Sequence, residues 1–190
     1  KLSDNRRDQR ETAKSLIRKF KSLKGVLNVS DSDLLKIEGV GPSNIFGLKF
    51  VHSVAERYLK ENVIEENYIK SSNDVIQYLI YNLRDNNTES FLIIYLNGRN
   101  QIIEIEKLFE GTLTSSAVYS REVIKKIIQK DAASVILVHN HPSGNPNPSQ
   151  EDKNITSKLV NACKTIDVSV HDHIIIAGNN YTSFAEKGFI

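Results

Sequence analysis

Methionine and tryptophan are missing from this 190-residue chain, and cysteine occurs once. A lone thiol, Cys163, cannot close an internal disulfide, so the fold must hold by its core, and the chain suits a reducing cytoplasm. Cys163 sits in the helical pattern of LVNACKTI and reads as a buried packing thiol rather than a nucleophile. The absence of methionine even at position 1 reads as a processed or partial chain. No apolar run approaches the roughly 20 residues of a membrane span. The opening KLSDNRRDQRE also lacks the apolar core of a signal peptide. The expectation from these absences is a soluble chain, not visibly exported, with no membrane partner and no disulfide scaffold. What remains is ordinary for a globular protein, with 39% hydrophobic and 25% charged residues, and a length sufficient to bury a core. Oligomeric state leaves no mark in the sequence.

Charge divides the chain. Residues 1–60 carry 13 Lys/Arg against 7 Asp/Glu, a balance of +6, and residues 61–190 carry 12 against 16, a balance of −4. The polar stretch LKENVIEENYIKSSND lies between the two regimes, and the expected organisation is a small basic helical region, 1–65, followed by a larger domain, 66–190.

In the first region Ala13, Leu16, Ile17, Phe20 and Leu23 recur at helical spacing, which predicts an amphipathic helix over residues 9–24. Ser30 is the expected cap of a short helix with Asp33 three residues on. Pro42 suits the first turn of a further helix whose apolar stripe would be Ile45, Leu48, Val51, Val54 and Tyr58. Gly39-Val40-Gly41 joins the two. Such a turn lets backbone N–H groups at a helix N-terminus approach a phosphate, and it is equally a tight turn between packed helices. His52 is expected at a packing boundary.

The second region alternates helix and strand. SSNDVIQYLIYNLRD is a helical pattern with Ser72 or Asn73 as cap. FLIIYL and QIIEIEKLF flank an NGR turn and should form a hairpin. SREVIKKIIQKDA is a helix with Ser120 as cap, SVILV a short buried strand, PSQEDKNITSKLVNACKTI a helix, and VSVHDHIIIAG with YTSFAE a strand pair around a Gly-Asn-Asn turn. Helices between apolar strands predict a layered α/β sheet.

Of four prolines in the chain, three fall in HNHPSGNPNPSQED, residues 139–152, with two of the five histidines. His139 and His141 leave a buried strand two residues apart, so their imidazoles point to the same side. Asp152, at the start of the next helix, can be returned to the same point by the intervening loop. Two nitrogens and a carboxylate oxygen are the three-ligand set of catalytic zinc, the fourth position being left to water, and imidazole favours zinc over magnesium. Hydrolysis of an amide would also need a proton shuttle. The competing reading takes Ser149 as an N-cap and Asp152 as a first-turn acid at the positive helix end. That reading leaves the paired histidines without a reason.

His-x-His-Pro followed by Ser-x-x-Asp resembles the JAMM signature of JAB/MPN-type metalloproteases, and the chain is similar to the RadC family in particular. LLKIEGVGP, FEGTL, REVIKKII, VILVHNHPSGNPNPSQED and DHIIIAG with YTSFAEKG carry that resemblance along most of the sequence. It implies a three-layer α-β-α JAB/MPN domain of the cytidine-deaminase-like kind, preceded by a small all-helical helix-hairpin-helix region. It further implies a zinc-dependent hydrolase acting on a peptide or isopeptide-like amide of a peptide or protein substrate, with His139, His141 and Asp152 as metal ligands and Ser149 stabilising the oxyanion. The family's usual description as DNA repair proteins implies an alternative, a DNA-associated accessory protein that would bind through residues 1–65 with Gly39 and Gly41 at the phosphate. DNA-binding forms of that turn often carry a Lys or Arg just after the glycines, where this chain has Pro42-Ser43-Asn44-Ile45.

JAMM enzymes place a glutamate general base at the start of the first core strand, where Glu89 stands here. Glu104, Glu106 and Glu110 are rivals, since sequence does not say which faces the metal. HDH, His171 to His173, repeats the spacing of two. A supporting or packing role is expected for Asp172 and His173 rather than a second metal.

Overall fold

The computed structural model describes residues 9–64, 66–111 and 119–190, with the side chains of residues 69–71 also left aside. The last two residues of FEGTL therefore lie outside the described part. The chain forms two compact units, Lys1–Tyr58 and Leu59–Ile190.

The first unit is helical: α1 Arg10–Phe20, α2 Leu23–Asn28, α3 Asp31–Leu34 and α4 Pro42–Glu61, whose last turn enters the second unit. The single helix expected over residues 9–24 is broken. Lys21 takes a left-handed φ of 70° and ends α1, and Ser22 caps α2 by accepting Gly25 N–H. Ser30 caps α3 as expected, accepting Asp33 N–H at 3.2 Å. Leu16, Val26, Leu34, Ile37 and Ile45 form the unit's core. The stripe expected along α4 is buried only at its start: Ile45 is buried and Leu48 half-buried, whereas Val51, Val54 and Tyr58 are exposed. A core built from three short helices reaches only the first turns of a 20-residue helix.

The second unit is a five-stranded mixed sheet in the order β2-β1-β3-β4-β5 with helices on both faces. The strands are β1 Ser90–Leu96, β2 Ile102–Glu110, β3 Ser134–Asn140, β4 Ser169–Ala177 and β5 Asn180–Ser183. β1 pairs antiparallel with β2 and β3, β3 and β4 are parallel, and β5 returns antiparallel to β4. Side-chain alternation sorts the strands' residues onto two faces. Leu92, Ile94, Ile136, Val138, Ile174 and Ile176 pack with α5, Tyr68–Leu83. Phe91, Ile93, Val135 and Leu137 pack with α6, Ser120–Gln129, and α7, Gln150–Lys164. At about 1.5–3 kcal/mol for each fully buried large apolar side chain, these two layers fix the sheet's register.

Two helix starts differ from expectation. α5 begins at Tyr68, so Ser72 and Asn73 lie inside it; the sheet beside it supplies the order that a cap would otherwise give. α6 has Tyr119 at its N-cap position without a side-chain bond, and Ser120 is its first residue. Among the described residues the Ser120 hydroxyl is buried without a hydrogen-bond partner. No described helix is long and apolar enough to cross a membrane.

Candidate metal centre

The C-terminal ends of the parallel strands β3 and β4, with the N-terminus of α7, are where an α/β sheet offers a ligand site. β3 runs on past its last regular residue because His141 N–H donates to the Ile176 carbonyl at 2.8 Å. His139 and His141 are thereby held on one side, the face covered by α6 and α7. The turn that follows is closed by Gly144 at φ 76°. Ser149 then caps α7 in a reciprocal box. Its hydroxyl accepts Asp152 N–H at 3.0 Å, while Asp152 Oδ2 receives the Ser149 N–H and hydroxyl, each at 2.7 Å. The helix cap and the approach of Asp152 to the histidines are one structure, because the box is what aims the carboxylate at them.

His139 Nε2 lies 2.9 Å from His141 Nε2 and 3.1 Å from Asp152 Oδ1, and His141 Nε2 lies 3.4 Å from Asp152 Oδ2. Among the described residues this is the one group of three or more His, Cys, Asp or Glu gathered closely enough for a metal ion. Ligands about 2.0–2.2 Å from a tetrahedral zinc stand about 3.3–3.6 Å from one another, so the three need little adjustment to hold one.

Hydrogen bonding behind the site decides where the ring protons are. Thr156 Oγ1 donates its single hydrogen to the Asp152 carbonyl at 2.5 Å, one turn back on α7. It must therefore accept at its 2.6 Å contact with His173 Nδ1, which carries the proton. His173 is wholly buried between Phe91 and Phe184, and burial pushes its pKa well below the usual histidine value, so the ring is neutral and Nε2 is an acceptor. His139 Nδ1 lies 2.8 Å from that acceptor and so donates to it. On the other side His141 Nδ1 donates to the Asn145 carbonyl at 2.7 Å. Both Nε2 atoms are left as lone pairs, converging on a carboxylate without a hydrogen between them. Three acceptors at such distances require a cation, either a proton or a metal.

When that cation is a proton carried on an Nε2, the imidazole becomes a donor and the carboxylate is held by it. Burial alone would raise Asp152, but hydrogen bonds from His139 and His141 outweigh it and hold the carboxyl far below the ordinary carboxylate range. The Asp152 hydrogen bond is also the main cause that raises His141, against burial, with smaller help from the Asn145 carbonyl and from the charge of Glu89.

Glu89 is half-buried, immediately before β1. Glu104 pairs with Lys130 at 2.7 Å, Glu106 with Lys126 at 2.6 Å, and Glu110 with Lys107 at 2.6 Å. Ser149 is brought to the site, with its hydroxyl hydrogen directed at Asp152 Oδ2. The HDH motif separates into three tasks. His171 Nε2 bonds Asn100 Oδ1 at 2.8 Å, Asp172 accepts from His173 N–H, Ser183 hydroxyl and Ala185 N–H, and His173 backs His139. Thr156 belongs to no motif and sequence reasoning misses it. Its position four residues after Asp152, on the same helix face, is the signal that could have found it.

Gly39 and Gly41, in the first unit, lie apart from this site in sequence and in role. Gly39 has φ 84°, and a Cβ there would lie 2.5 Å from Thr12 Oγ1. Gly41 N–H donates to Asn44 Oδ1 at 2.9 Å, so a phosphate at that amide would compete with Asn44.

Residues 69–189 match the family model of the RadC-like JAB domain. The chain is 38% identical over 180 residues to a UPF0758 protein of Aliivibrio fischeri (strain MJ11), 39% to one of Pseudoalteromonas translucida (strain TAC 125), and 38% to one of Vibrio parahaemolyticus serotype O3:K6. Each comparison covers 95% of this chain and 80% of the relative. With that family match spanning the sheet and every residue of the candidate metal centre, the chain belongs to the RadC family, its larger unit being a JAB domain.

Proposed function

We propose that the protein is a zinc-dependent hydrolase of the JAMM metalloprotease type, cleaving a peptide or isopeptide-like amide in a peptide or protein substrate. The observation that carries this reading is the convergence of two Nε2 atoms and one carboxylate, with Thr156, His173 and Asn145 bonded behind them. Zinc suits two imidazoles and a carboxylate; when bound it polarises a carbonyl and brings the pKa of a coordinated water to about 7. His139, His141 and Asp152 hold it. Glu89, whose charge reaches His141, takes the proton of the attacking water on its carboxylate and returns it to the leaving nitrogen. Ser149 keeps Asp152 oriented and, by turning its hydroxyl from Oδ2, supplies a hydrogen to the oxyanion.

The test is hydrolysis of peptide and isopeptide-linked reporter substrates by untreated, chelator-stripped and zinc-restored protein, with Glu89→Gln beside them. Activity should vanish on stripping and return with zinc. Glu89→Gln should keep its zinc and lose about 10²–10⁴-fold in rate. A Glu89→Gln protein as active as wild type contradicts the assignment.

A second reading, DNA association through residues 1–65, is favoured by the +6 balance of residues 1–60. It predicts duplex binding that weakens steeply with salt and is lost when residues 1–65 are removed; binding indifferent to either change rules it out.

A further inference from the structure

The HNH triplet puts two imidazoles on one side of β3 and turns the residue between them to the other. Asn140 is 2% exposed, and both ends of its amide reach across to the chain leading into β1. Its Oδ1 accepts Ser90 N–H at 2.7 Å, and its Nδ2 donates to the Thr88 carbonyl at 3.1 Å. The regular pairing of β1 with β3 stops at Phe91 opposite His139. One residue beyond, the side-chain amide of Asn140 stands in for a peptide group and carries the ladder on to Thr88.

The two groups so held flank Glu89. From the other side, the Glu89 carbonyl accepts Gly111 N–H at 2.8 Å, just after β2. Glu89 therefore lies outside the regular strand with its backbone tied to both neighbouring strands, beside the end of β3 that carries the two histidines.

We propose that Asn140 is a positioning residue for the proton shuttle: it holds the Thr88–Ser90 backbone so that the Glu89 carboxylate stays beside the metal centre, without itself taking part in metal binding. The proposal rests on the reading of Glu89 as the shuttle. Asparagine is the residue the geometry demands, since it offers one acceptor and one donor at one distance from the backbone. Aspartate would keep the acceptor for Ser90 N–H and set an oxygen against the Thr88 carbonyl. Alanine would leave the buried Ser90 N–H without a partner and take the donor from the Thr88 carbonyl.

The experiment follows zinc binding by NMR in protein labelled with ¹³C at glutamate carboxylates, with the Glu89 resonance identified as the one missing from Glu89→Gln. In wild type that resonance shifts on addition of one equivalent of zinc. Asn140→Ala should still bind one zinc with affinity within about threefold of wild type, because neither the ligands nor their hydrogen-bond partners are changed. Its Glu89 response should disappear, and Ser90 amide exchange should quicken by at least about tenfold. Asn140→Asp, which keeps the Ser90 bond, should restore Ser90 protection and part of the Glu89 response, and it serves alone if the alanine variant does not fold. A Glu89 response equal to wild type in the variants overturns the role of Asn140 and leaves Glu89 intact. A wild type in which zinc moves no resonance missing from Glu89→Gln overturns the shuttle reading itself, and the Asn140 role with it.

Discussion

At the scale of single residues, the site is defined by where protons are placed. One hydroxyl, Thr156 Oγ1, has one hydrogen to give, and giving it to the Asp152 carbonyl settles in turn the tautomers of His173 and His139. Thr156→Val and His173→Ala should therefore weaken zinc binding about 10–100-fold, as loss of a ligand's hydrogen-bond partner does, measured by competition with a chromogenic chelator; unchanged affinity would refute the relay. His173 also has a consequence for acid stability. Burial lowers its folded pKa, whereas the unfolded chain's histidine titrates near about 6.5. Below that pH the unfolded chain binds a proton that the folded chain refuses, so stability is present above about pH 6.5 and is lost as pH falls. His141, raised in the folded chain, works in the opposite direction, so the His173 contribution is read as a difference: between about pH 7 and 5 the thermal midpoint of metal-free wild type should fall more, or rise less, than that of His173→Gln, and an equal change in both would assign the effect to other groups.

At the scale of elements, three pieces meet: the end of β3, the start of α7 and the approach to β1. Most of this is legible in the sequence. A buried apolar run ending in HNH says that two imidazoles leave a strand together, and PSQED says that a helix begins on a capped turn. Capping residues fail as signals elsewhere because packing overrides them: α5 starts before Ser72 and Asn73, and α6 starts without a side-chain cap. The pairing of Glu106 and Glu104 with Lys126 and Lys130, of α6 and its end, is long-range and nothing local to β2 announces it, whereas the Glu110–Lys107 pair lies within β2. Thr156, His173 and Asn140 act across elements, so their partners are invisible until the sheet is assembled. In the first unit the GVG turn makes a separate prediction. A side chain at Gly39 would need a φ of 84° and would meet Thr12, whereas the nearest neighbour at Gly41 is 3.8 Å away. Gly39→Ala should cost about 1–3 kcal/mol and Gly41→Ala clearly less, read from denaturant unfolding; equal costs would show that the turn is not set by Gly39.

At the scale of the whole molecule, the chain joins a small basic helical unit to a larger acidic sheet domain, and the sheet domain holds every residue of the candidate metal centre. The shift in charge balance makes the division itself readable from the amino-acid order. Its position is not readable there, because α4 continues without a break through Tyr58 to Glu61. The account as a whole stands on the metal. The measurement that tests it most directly is zinc bound per chain, by elemental analysis and calorimetric titration, in wild type and in His139→Ala at about pH 7.5, above the unperturbed histidine pKa. The account predicts one zinc per wild-type chain and none held by His139→Ala at the same free-metal concentration. A wild-type chain that takes up no zinc, or a His139→Ala chain that holds it as tightly, would contradict it.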